Sequence, residues 1–334
     1  MFRGEEVIIG VGIEDPTKRG TAVTPQVYIP GRTPSGMNVA VAKALLKETK
    51  GGGMESQGSE VVQRKASGPI EFNVRSQSIG YLLKSLLGKC TTTTVATTVK
   101  SHKFEVLVGN PQFPTFTVGL SQPSTNQDYE YPTGLLTALS MNFPVDDLVN
   151  ASADIIASDE VEHDAFTVAF DDEDYIFRPE DVTIKIAANI AGLAAASEIS
   201  FDDFKLDIKN NGKSKFSIGT GVATPVDSRA GLVSVSGSFS VVYDGKTNHD
   251  RYVDGDYIAI QITLERGDVA IATTYHPTIT IQLDRVSLEA SNPDRPMDGE
   301  VVDSFDFVGH YDETNSEGIN IVVQNEVEDY DYDA

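Results

Sequence analysis

The chain has 334 residues, of which 40% are hydrophobic, so it is long enough to bury one large core or two ordinary ones. Its 26 basic and 50 acidic residues give a formal net charge of -24, which argues against a protein that grips nucleic acid through phosphate contacts. A single cysteine, Cys90, excludes an intramolecular disulfide framework and a zinc site built from several cysteines.

The N-terminal segment has the composition of an extended arm. Its apolar stretch at residues 7–13 is short and flanked by acids, unlike a signal peptide. Residues 39–47 form a candidate short helix, which is followed by three glycines and a polar stretch. We therefore predict an arm with a long loop over residues 1–67. No segment approaches the roughly 18 apolar residues of a membrane span, so we expect a soluble protein made in the cytoplasm without a membrane partner.

One amphipathic helix is predicted next. Ile79, Leu82, Leu83 and Leu86 fall at positions i, i+3, i+4 and i+7. Ser76 or Ser78 is available as the N-cap, and Gly88 is a typical C-terminal stop. The spacing predicts an α-helix at about 77–87 whose single apolar stripe packs on a sheet.

Alternating apolar residues, typical of half-buried strands, dominate the chain from residue 68 onward. Examples lie at residues 116–120, 135–143, 233–243, 258–264 and 319–323. Turn sequences separate the runs, among them Asn211-Gly212, Asp244-Gly245, Asp254-Gly255 and Asp298-Gly299. The pattern predicts a mainly β fold.

Two stretches suggest an internal duplication. Residues 134–159 and 199–244 share a plan of alternating strand, connection and second alternating strand. Any two antiparallel hairpins also share that plan, so this alternative stays open. On the duplication hypothesis, the first β-domain with its helix spans 68–165 and the second spans 166–312, followed by a C-terminal strand and acidic tail at 313–334.

The sequence carries no pattern of catalytic or metal-binding residues that we recognise. Its five histidines are scattered, and it has no phosphate-binding loop or nucleophile elbow. We therefore predict a protein that is not an enzyme and uses no cofactor or metal. A carbohydrate-binding β-sandwich, or a hydrolytic one with paired acids, remains an alternative, although the lack of tryptophan removes the usual sugar-stacking platform.

The charge is unevenly distributed along the chain. Residues 1–110 carry 14 basic and 9 acidic residues, a net +5, whereas the rest carry 12 and 41, a net -29. Such asymmetry indicates two surfaces that meet in an assembly, or one face kept strongly negative. The alternative is that the acids only keep a β-rich protein soluble.

Several stretches together carry a family resemblance: RGTAV at 19–23, GPIEFNVRSQSIGYLLKSLLG at 68–88, HKFEVLVGNPQFPTFTVGL at 102–120, and TITIQLDRVSLE at 278–289. With these stretches, the chain resembles the tail tube (major tail) proteins of long-tailed bacteriophages and related archaeal tailed viruses. The insertion at 33–65 and the acidic C-terminus depart from the family pattern, and we predict no role for either.

The resemblance implies a tail-tube-type β-sandwich or β-barrel fold with a flanking helix and extended arms. It implies a structural protein of the virion tail that self-assembles into stacked rings, whose inner wall is a β-barrel shared between subunits. Other tail proteins, such as the tape measure and the tail terminator, are implied partners. If the duplication is real, a ring of three chains with pseudo-six-fold symmetry is favoured over one of six.

The tube would conduct genome DNA without binding it specifically, and acids beyond residue 110 would repel phosphates from the lumen. The candidate lumen acids are Asp171, Asp172, Glu173, Asp174, Asp202 and Asp203. Candidate contacts between subunits are the arm at 1–67 and the strand at 319–323. Another viral or injection-system ring or decoration protein is the first alternative, and the host, bacterial or halophilic archaeal, stays open.

Overall fold

The computed structural model describes residues 7–33, 36–46, 58–109, 112–122, 127–219, 223–242, 247–294 and 301–332. Within these ranges the chain is mostly strand, arranged largely in one extensive antiparallel sheet. The predicted mainly β fold is confirmed.

The described residues of the first half of the chain form β1 (Ile8–Ile13), β2 (Val27–Ile29), β3 (Asn38–Leu45), β4 (Ser59–Asn73), α1 (Ile79–Leu87), β5 (Gly88–Thr94), β6 (Lys100–Val106), β7 (Phe116–Ser121), β8 (Asp128–Pro144), β9 (Asn150–Ala157) and β10 (Val161–His163). The second half contains β11 (Val182–Ala187), α2 (Ile190–Leu193), β12 (Asp203–Lys209), β13 (Lys213–Lys215), β14 (Asp227–Arg229), β15 (Ser234–Val242), α3 (Thr247–Asp254), β16 (Ile258–Glu265), β17 (Thr278–Asp294), β18 (Val302–His310) and β19 (Ile319–Asn325).

The same topology occurs twice. In the first repeat the pairing order is β1·β7·β8·β9·β4·β3, with α1 following β4 and packed on β8. In the second repeat it is β11·β16·β17·β18·β15·β12, with α3 following β15 and packed on β17. The first halves of the long strands β8 and β17 also pair with β10 and β19 respectively. The chain therefore contains two topologically equivalent repeats.

Strand irregularities fall at matching positions in the two repeats. The β7·β8 register shifts between Phe116 and Val118, and the β16·β17 register shifts between Ile258 and Ile260. Likewise, the β8·β9 register shifts between Leu136 and Ala138, and the β17·β18 register between Leu288 and Ala290. A bulge changes the face to which every later side chain of the strand points. Bulges at matching positions therefore align β8 with β17 residue by residue.

A glycine marks one further equivalent position. A Cβ added to Gly68 would lie 2.2 Å from the carbonyl oxygen of Gly36, and one added to Gly237 would lie 2.2 Å from that of Lys205. Both glycines occur on the inner strand of the β3–β4 or β12–β15 hairpin. Each repeat therefore needs glycine on the inner strand of this hairpin, at the point where the backbone of the outer segment approaches it most closely.

The stretches that suggested the duplication are not equivalent to each other. The structure equates β8–β9, at residues 134–159, with β17–β18, and not with β12–β15 at 199–244. Identical residues occur at the true equivalents, including Leu136 with Leu288 and Asp154 with Asp306. The predicted alignment of residues 134–159 with residues 199–244 was wrong. Alternation of apolar and polar residues indicates which face of a strand is buried, but not which strand lies beside it.

The described residues of the predicted arm contain strands that pair with the rest of the fold. Residues 39–47 were a candidate helix, but β3 occupies Asn38–Leu45 and pairs antiparallel with β4. The alanines of NVAVAKAL favour a helix locally, whereas cross-strand pairing with β4 overrides that preference. β1 pairs with both β2 and β7, and β4 runs through the predicted boundary at residue 67.

Helix α1 confirms the predicted helix at about 77–87. It ends at Gly88, which has a left-handed backbone with φ 90°. Ile79, Leu82, Leu83 and Leu86 are all buried. Ser78 is the N-cap residue, yet its hydroxyl makes no capping hydrogen bond to the helix, and the Ser76 hydroxyl accepts from the Tyr175 amide. The predicted N-cap position at Ser78 is therefore confirmed, but the serine side chain does not supply the capping hydrogen bond.

Candidate assembly surface

The two repeats are joined side by side into one sheet. β12 of the second repeat pairs with the second half of β8, from Asp203 opposite Pro144 to Lys209 opposite Ala138. We call this pair the internal junction. It produces a continuous antiparallel sheet of eight strands in the order β3·β4·β9·β8·β12·β15·β18·β17, which we call the central sheet.

One face of the central sheet is apolar and buried. Alternate residues of its strands point into the core, where aromatic rings from both repeats meet. Phe143 lies 5.7 Å from Phe204 across the internal junction, measured between ring centroids, and Phe239 lies 5.4 Å from Phe305. The core is therefore continuous between the repeats.

The opposite face, which we call the polar face, consists mainly of small polar side chains. Its members alternate with the buried residues along each strand and so point away from the core. Serine recurs in β4, β8, β9, β15 and β18, and the apolar exceptions include Ile156, Val242, Val302 and Val308. The polar and small members are Asn38, Ala40, Lys65, Ser67, Pro69, Glu71, Asn73, Ala138, Ser140, Asn142, Asn150, Ser152, Asp154, Asp203, Lys205, Asp207, Lys209, Ser234, Ser236, Ser238, Ser240, Ala290, Asn292, Asp294, Ser304 and Asp306.

Side chains of the polar face bond to one another across strands. The Ser140 hydroxyl donates to the Asp207 carboxylate across the internal junction. The Asn142 amide donates to the Asn150 side-chain oxygen at 3.1 Å, and the Ser240 and Ser304 hydroxyls lie 2.8 Å apart. These bonds use donors that would otherwise be free to bind a ligand.

Carboxylates outnumber cations on the polar face. It carries the six acids Glu71, Asp154, Asp203, Asp207, Asp294 and Asp306 and the three lysines Lys65, Lys205 and Lys209. Lys205 and Lys209 belong to β12, where Asp203 and Asp207 alternate with them. A phosphate approaching either of these two lysines therefore also meets a carboxylate, which opposes tight binding.

The predicted lumen acids separate into two places. Asp203 is exposed on the polar face, and Asp202 is exposed immediately before β12, where its amide donates to the Ser240 carbonyl at 2.9 Å. Asp171, Asp172 and Glu173 are exposed in a loop beside the N-terminus of α1, where the Gln77 side-chain amide donates to the Glu173 carbonyl at 3.1 Å.

Asp174 is buried, with 6% of its surface exposed. Its Oδ1 accepts hydrogen bonds from the backbone amides of Gln77 at 2.7 Å and Ser78 at 3.3 Å, at the start of α1. Burial raises the pKa of this carboxyl, while the two amides act in the opposite direction. Asp174 therefore caps a helix that is distant in sequence, and no local pattern could have revealed this role.

The two outermost strands of the central sheet each have an unpaired edge. Within the part of the chain that the structure describes, β3 pairs only with β4, and residues 287–294 of β17 pair only with β18. By contrast, β19 pairs with β17 on one edge and β6 on the other, and Ile321 and Val323 are buried. The strand at 319–323, predicted to contact another subunit, therefore has no free edge for that contact.

The outer part of the β3–β4 hairpin projects beyond its neighbours. Its apolar side chains lie in solvent in the isolated chain, with Val41 44% and Leu45 59% exposed and Val61 and Val62 also exposed. Exposed apolar side chains on two adjacent strands are typical of a surface that is covered in an assembly. This hairpin lies within the insertion at 33–65.

The acidic C-terminal segment is fastened to α1. Tyr330 is only 1% exposed, and its hydroxyl donates to the Gln77 carbonyl at 2.9 Å and accepts from the Asn325 amide at 2.6 Å. A Cβ on Gly80 would lie 2.1 Å from the Tyr330 ring, so glycine makes room for the tyrosine. Lys84 pairs with Asp331 at 2.6 Å, which holds the segment against the helix.

The single cysteine, Cys90, and the histidine His102 lie inside the fold and not in a reactive site. Burial raises the pKa of the Cys90 thiol, which disfavours the reactive thiolate. His102 is buried and contacts Thr92, Asn325 and the Val327 carbonyl. Across the described ranges, no cluster of three or more His, Cys, Asp or Glu side chains is placed to hold a metal ion. No helix in those same ranges is long and apolar enough to cross a membrane.

A duplicated β-protein with open sheet edges and one broad polar face has the architecture of a structural subunit. A family model described as phage tail tube protein matches residues 4–309, and the chain belongs to this family. No curated protein shows significant similarity to the chain. The family confirms the resemblance seen in the sequence: the chain is a structural component of the virion tail, in a family whose members assemble into a tube with other tail proteins.

Proposed function

We propose that this chain forms the wall of the tail tube and that the polar face of the central sheet lines the channel through which genome DNA passes. The observation that carries the proposal is the continuity of this face across both repeats. It is one surface of small side chains in which acids outnumber lysines. The tape measure, inside the growing tube, and the terminator, at its end, are the tail partners that this role implies.

The chemistry of the polar face suits a conduit. DNA is a polyanion, and a protein that binds it releases counterions through several lysine or arginine contacts to phosphate. A wall with six carboxylates and three lysines per chain repels phosphates over a Debye length of about 8 to 10 Å at ordinary ionic strength. The serine and asparagine side chains keep the surface wet without presenting a row of cations.

The position of each acid refines the lumen assignment. We assign Asp203 to the lumen, with Asp202 at its rim, and add Asp154 and Asp306 from the polar face. The loop that contains Asp171, Asp172 and Glu173 adjoins α1, which packs against the other side of the sheet. We therefore propose that this loop faces outward, and that buried Asp174 contributes no charge to the channel.

The topology favours a ring of three chains over one of six. Each chain supplies two equivalent repeats, so three chains place six repeats around the channel. Averaged maps of assembled tubes test this number. A cross-section with true three-fold and approximate six-fold symmetry is expected, whereas six whole chains around one ring would contradict it.

Charge reversal tests the lumen assignment. Tubes of the Asp203→Lys, Asp306→Lys variant should retain short fluorescent duplex DNA at least several-fold more than wild-type tubes at low salt. The matched control, Asp171→Lys with Glu173→Lys, has the same change in charge and should behave like wild type when the DNA is offered only to tube interiors. Equal retention by the two variants, or none by either, would contradict the assignment.

A further inference from the structure

We propose that neighbouring chains join through antiparallel pairing of β3 of one chain with residues 287–294 of β17 of the next. This pairing repeats, between chains, the internal junction that β12 and β8 make within the chain. The partner is a second copy of this chain. The inference rests on the proposed function, because it specifies the contact by which tube subunits meet around the ring.

The repeats show which edges are equivalent. β12 is the outer strand of the β12–β15 hairpin, as β3 is of the β3–β4 hairpin. The second half of β17 lies beside β18, as the second half of β8 lies beside β9. At the internal junction, the outer edge of β12 meets the remaining edge of β8. Two edges remain unpaired: that of β3, which is equivalent to β12, and that of β17, which is equivalent to β8.

Within the described residues of one chain, these two edges are not paired with each other. They lie at opposite ends of the eight-stranded central sheet, with six strands between them. Unpaired edges expose a row of backbone donors and acceptors, which proteins normally cover or obstruct. A head-to-tail contact between copies covers both edges at once and continues the sheet around a ring.

The shared registers also fix which residues meet. Asn38 lies opposite Ser67, as Asp207 lies opposite Ser236, and Gly68 with Gly237 confirms this alignment of the hairpins. Asn292 lies opposite Ser304, as Ser140 lies opposite Ser152. Because Asp207 is opposite Ser140 at the internal junction, Asn38 is expected opposite Asn292 in the next chain.

The expected neighbours are chemically compatible. Two asparagine amides can donate and accept in the place where Ser140 donates to Asp207. Two residues along, the same register sets Ala40 opposite Ala290, which allows close approach of the strands. Neither pair sets like charges against each other, and both lie on the polar face, so the lumen surface continues between chains.

Cysteine cross-linking of assembled tubes tests the register, in a Cys90→Ser background. Directly opposed Cα atoms in an antiparallel pair lie about 4.5 to 5.5 Å apart, within the range that a disulfide spans. Asn38→Cys with Asn292→Cys should therefore form covalent multimers on mild oxidation, and the longest closed species reports the number of chains in the ring. Asn38→Cys with Asp294→Cys, shifted by two residues, is the matched control and should link several-fold less.

The possible outcomes separate this inference from the proposed function. Tubes that form normally but yield no multimers, or equal linking in the control pair, would overturn the β3·β17 junction and leave the tube function intact. Ala40→Cys with Ala290→Cys is a second directly opposed pair with small side chains. Absence of links in both opposed pairs would overturn the register, whereas failure of wild-type chains to form tubes with an axial channel would count against the function instead.

Discussion

Gly68 and Gly237 occupy the same position in the two repeats, each against a backbone carbonyl. Alanine at either site would force the outer hairpin strand away, and such overpacking costs about 1 to 3 kcal/mol. We expect Gly68→Ala and Gly237→Ala each to lower the free energy of unfolding by that amount in urea titrations. Gly267→Ala, where an added Cβ meets no atom within 4 Å, is the control and should change little. Equal effects at all three sites would contradict the equivalence.

Asp174 stabilises α1 from a distant loop. Removing a capping carboxylate costs about 0.5 to 2 kcal/mol, so Asp174→Ala should destabilise the protein by about 1 kcal/mol in thermal or urea unfolding. Asp172→Ala removes an exposed acid from the same loop and should have almost no effect. If the Asp172 variant were the less stable of the two, this role for Asp174 would be wrong.

The limits of α1 were predictable, but its cap was not. The spacing of Ile79, Leu82 and Leu83 is a local pattern, and so is the glycine that ends the helix. The capping carboxylate lies 96 residues from Ser78, so its role depends on the tertiary fold alone. The same acid looked like a lumen candidate because a run of carboxylates in sequence carries no information about burial.

The β5–β6 hairpin is held to β19 by backbone pairing and by a charge network. Glu105 contacts Lys103 at 2.8 Å and also Lys89, and Lys103 contacts Glu317 beside β19 at 2.5 Å. The hydrogen bonds from Lys103 and Lys89 lower the pKa of Glu105 to about 2. Because this folded-state pKa lies below the unfolded value, the stabilisation is present above about pH 4.5 and is lost as the pH falls toward 2.

We therefore expect Glu105→Gln to lower the melting temperature at pH 6, with a smaller difference from wild type at pH 3.5. Melting curves at the two pH values measure this. Glu313→Gln, which removes an exposed acid for which the structure gives no ion pair among the described residues, is the control. A difference between wild type and Glu105→Gln that grew on acidification would contradict the sign of the pKa shift.

The C-terminal segment acts as a clasp on α1. Tyr330 fills the space over Gly80, and truncating a buried aromatic side chain costs about 3 to 5 kcal/mol. Tyr330→Ala should therefore destabilise the protein by several kcal/mol, measured by urea unfolding. Tyr332→Ala, at a partly buried tyrosine two residues later, should cost less. Similar losses would show that the segment contributes only general hydrophobic contact.

Strand positions could be predicted well from alternation, whereas strand neighbours could not. The runs at 116–120 and 258–264 correspond to β7 and β16, because one buried face imposes a period of two. The β3 segment was mistaken for a helix because its alanines fit both structures. The pairing of β8 with β12 joins residues far apart in sequence, and only the whole fold selects it.

The charge asymmetry along the chain is partly neutralised within the chain. Arg19 pairs with Asp227 at 2.9 Å, Arg32 with Asp147 at 2.5 Å, and Lys100 with Glu328 at 2.7 Å. In each pair the cation comes from the basic first 110 residues and the acid from the remainder. The basic excess of the first 110 residues therefore also serves contacts inside the fold, and the chain as a whole keeps its formal net charge of -24.

Salt should consequently favour assembly. Like-charged subunits repel, and raising ionic strength from 0.01 to 0.15 M shortens the Debye length from about 30 to about 8 Å. We expect the sedimentable fraction of tubes to rise over this range, with sucrose of matched osmolality as the control. A fall with added salt would indicate instead that attraction between unlike surfaces of neighbouring chains dominates.

The internal junction has a consequence for the kinetics of tube growth. In any ring built from this chain, every second contact between repeats is completed while the polypeptide folds, before two molecules have met. Tethering makes that contact intramolecular, so its formation does not depend on protein concentration. Because the two repeats are joined in one chain, each can also acquire its own additions. The first repeat carries the β5–β6 hairpin, and its helix α1 is bound by the C-terminal segment.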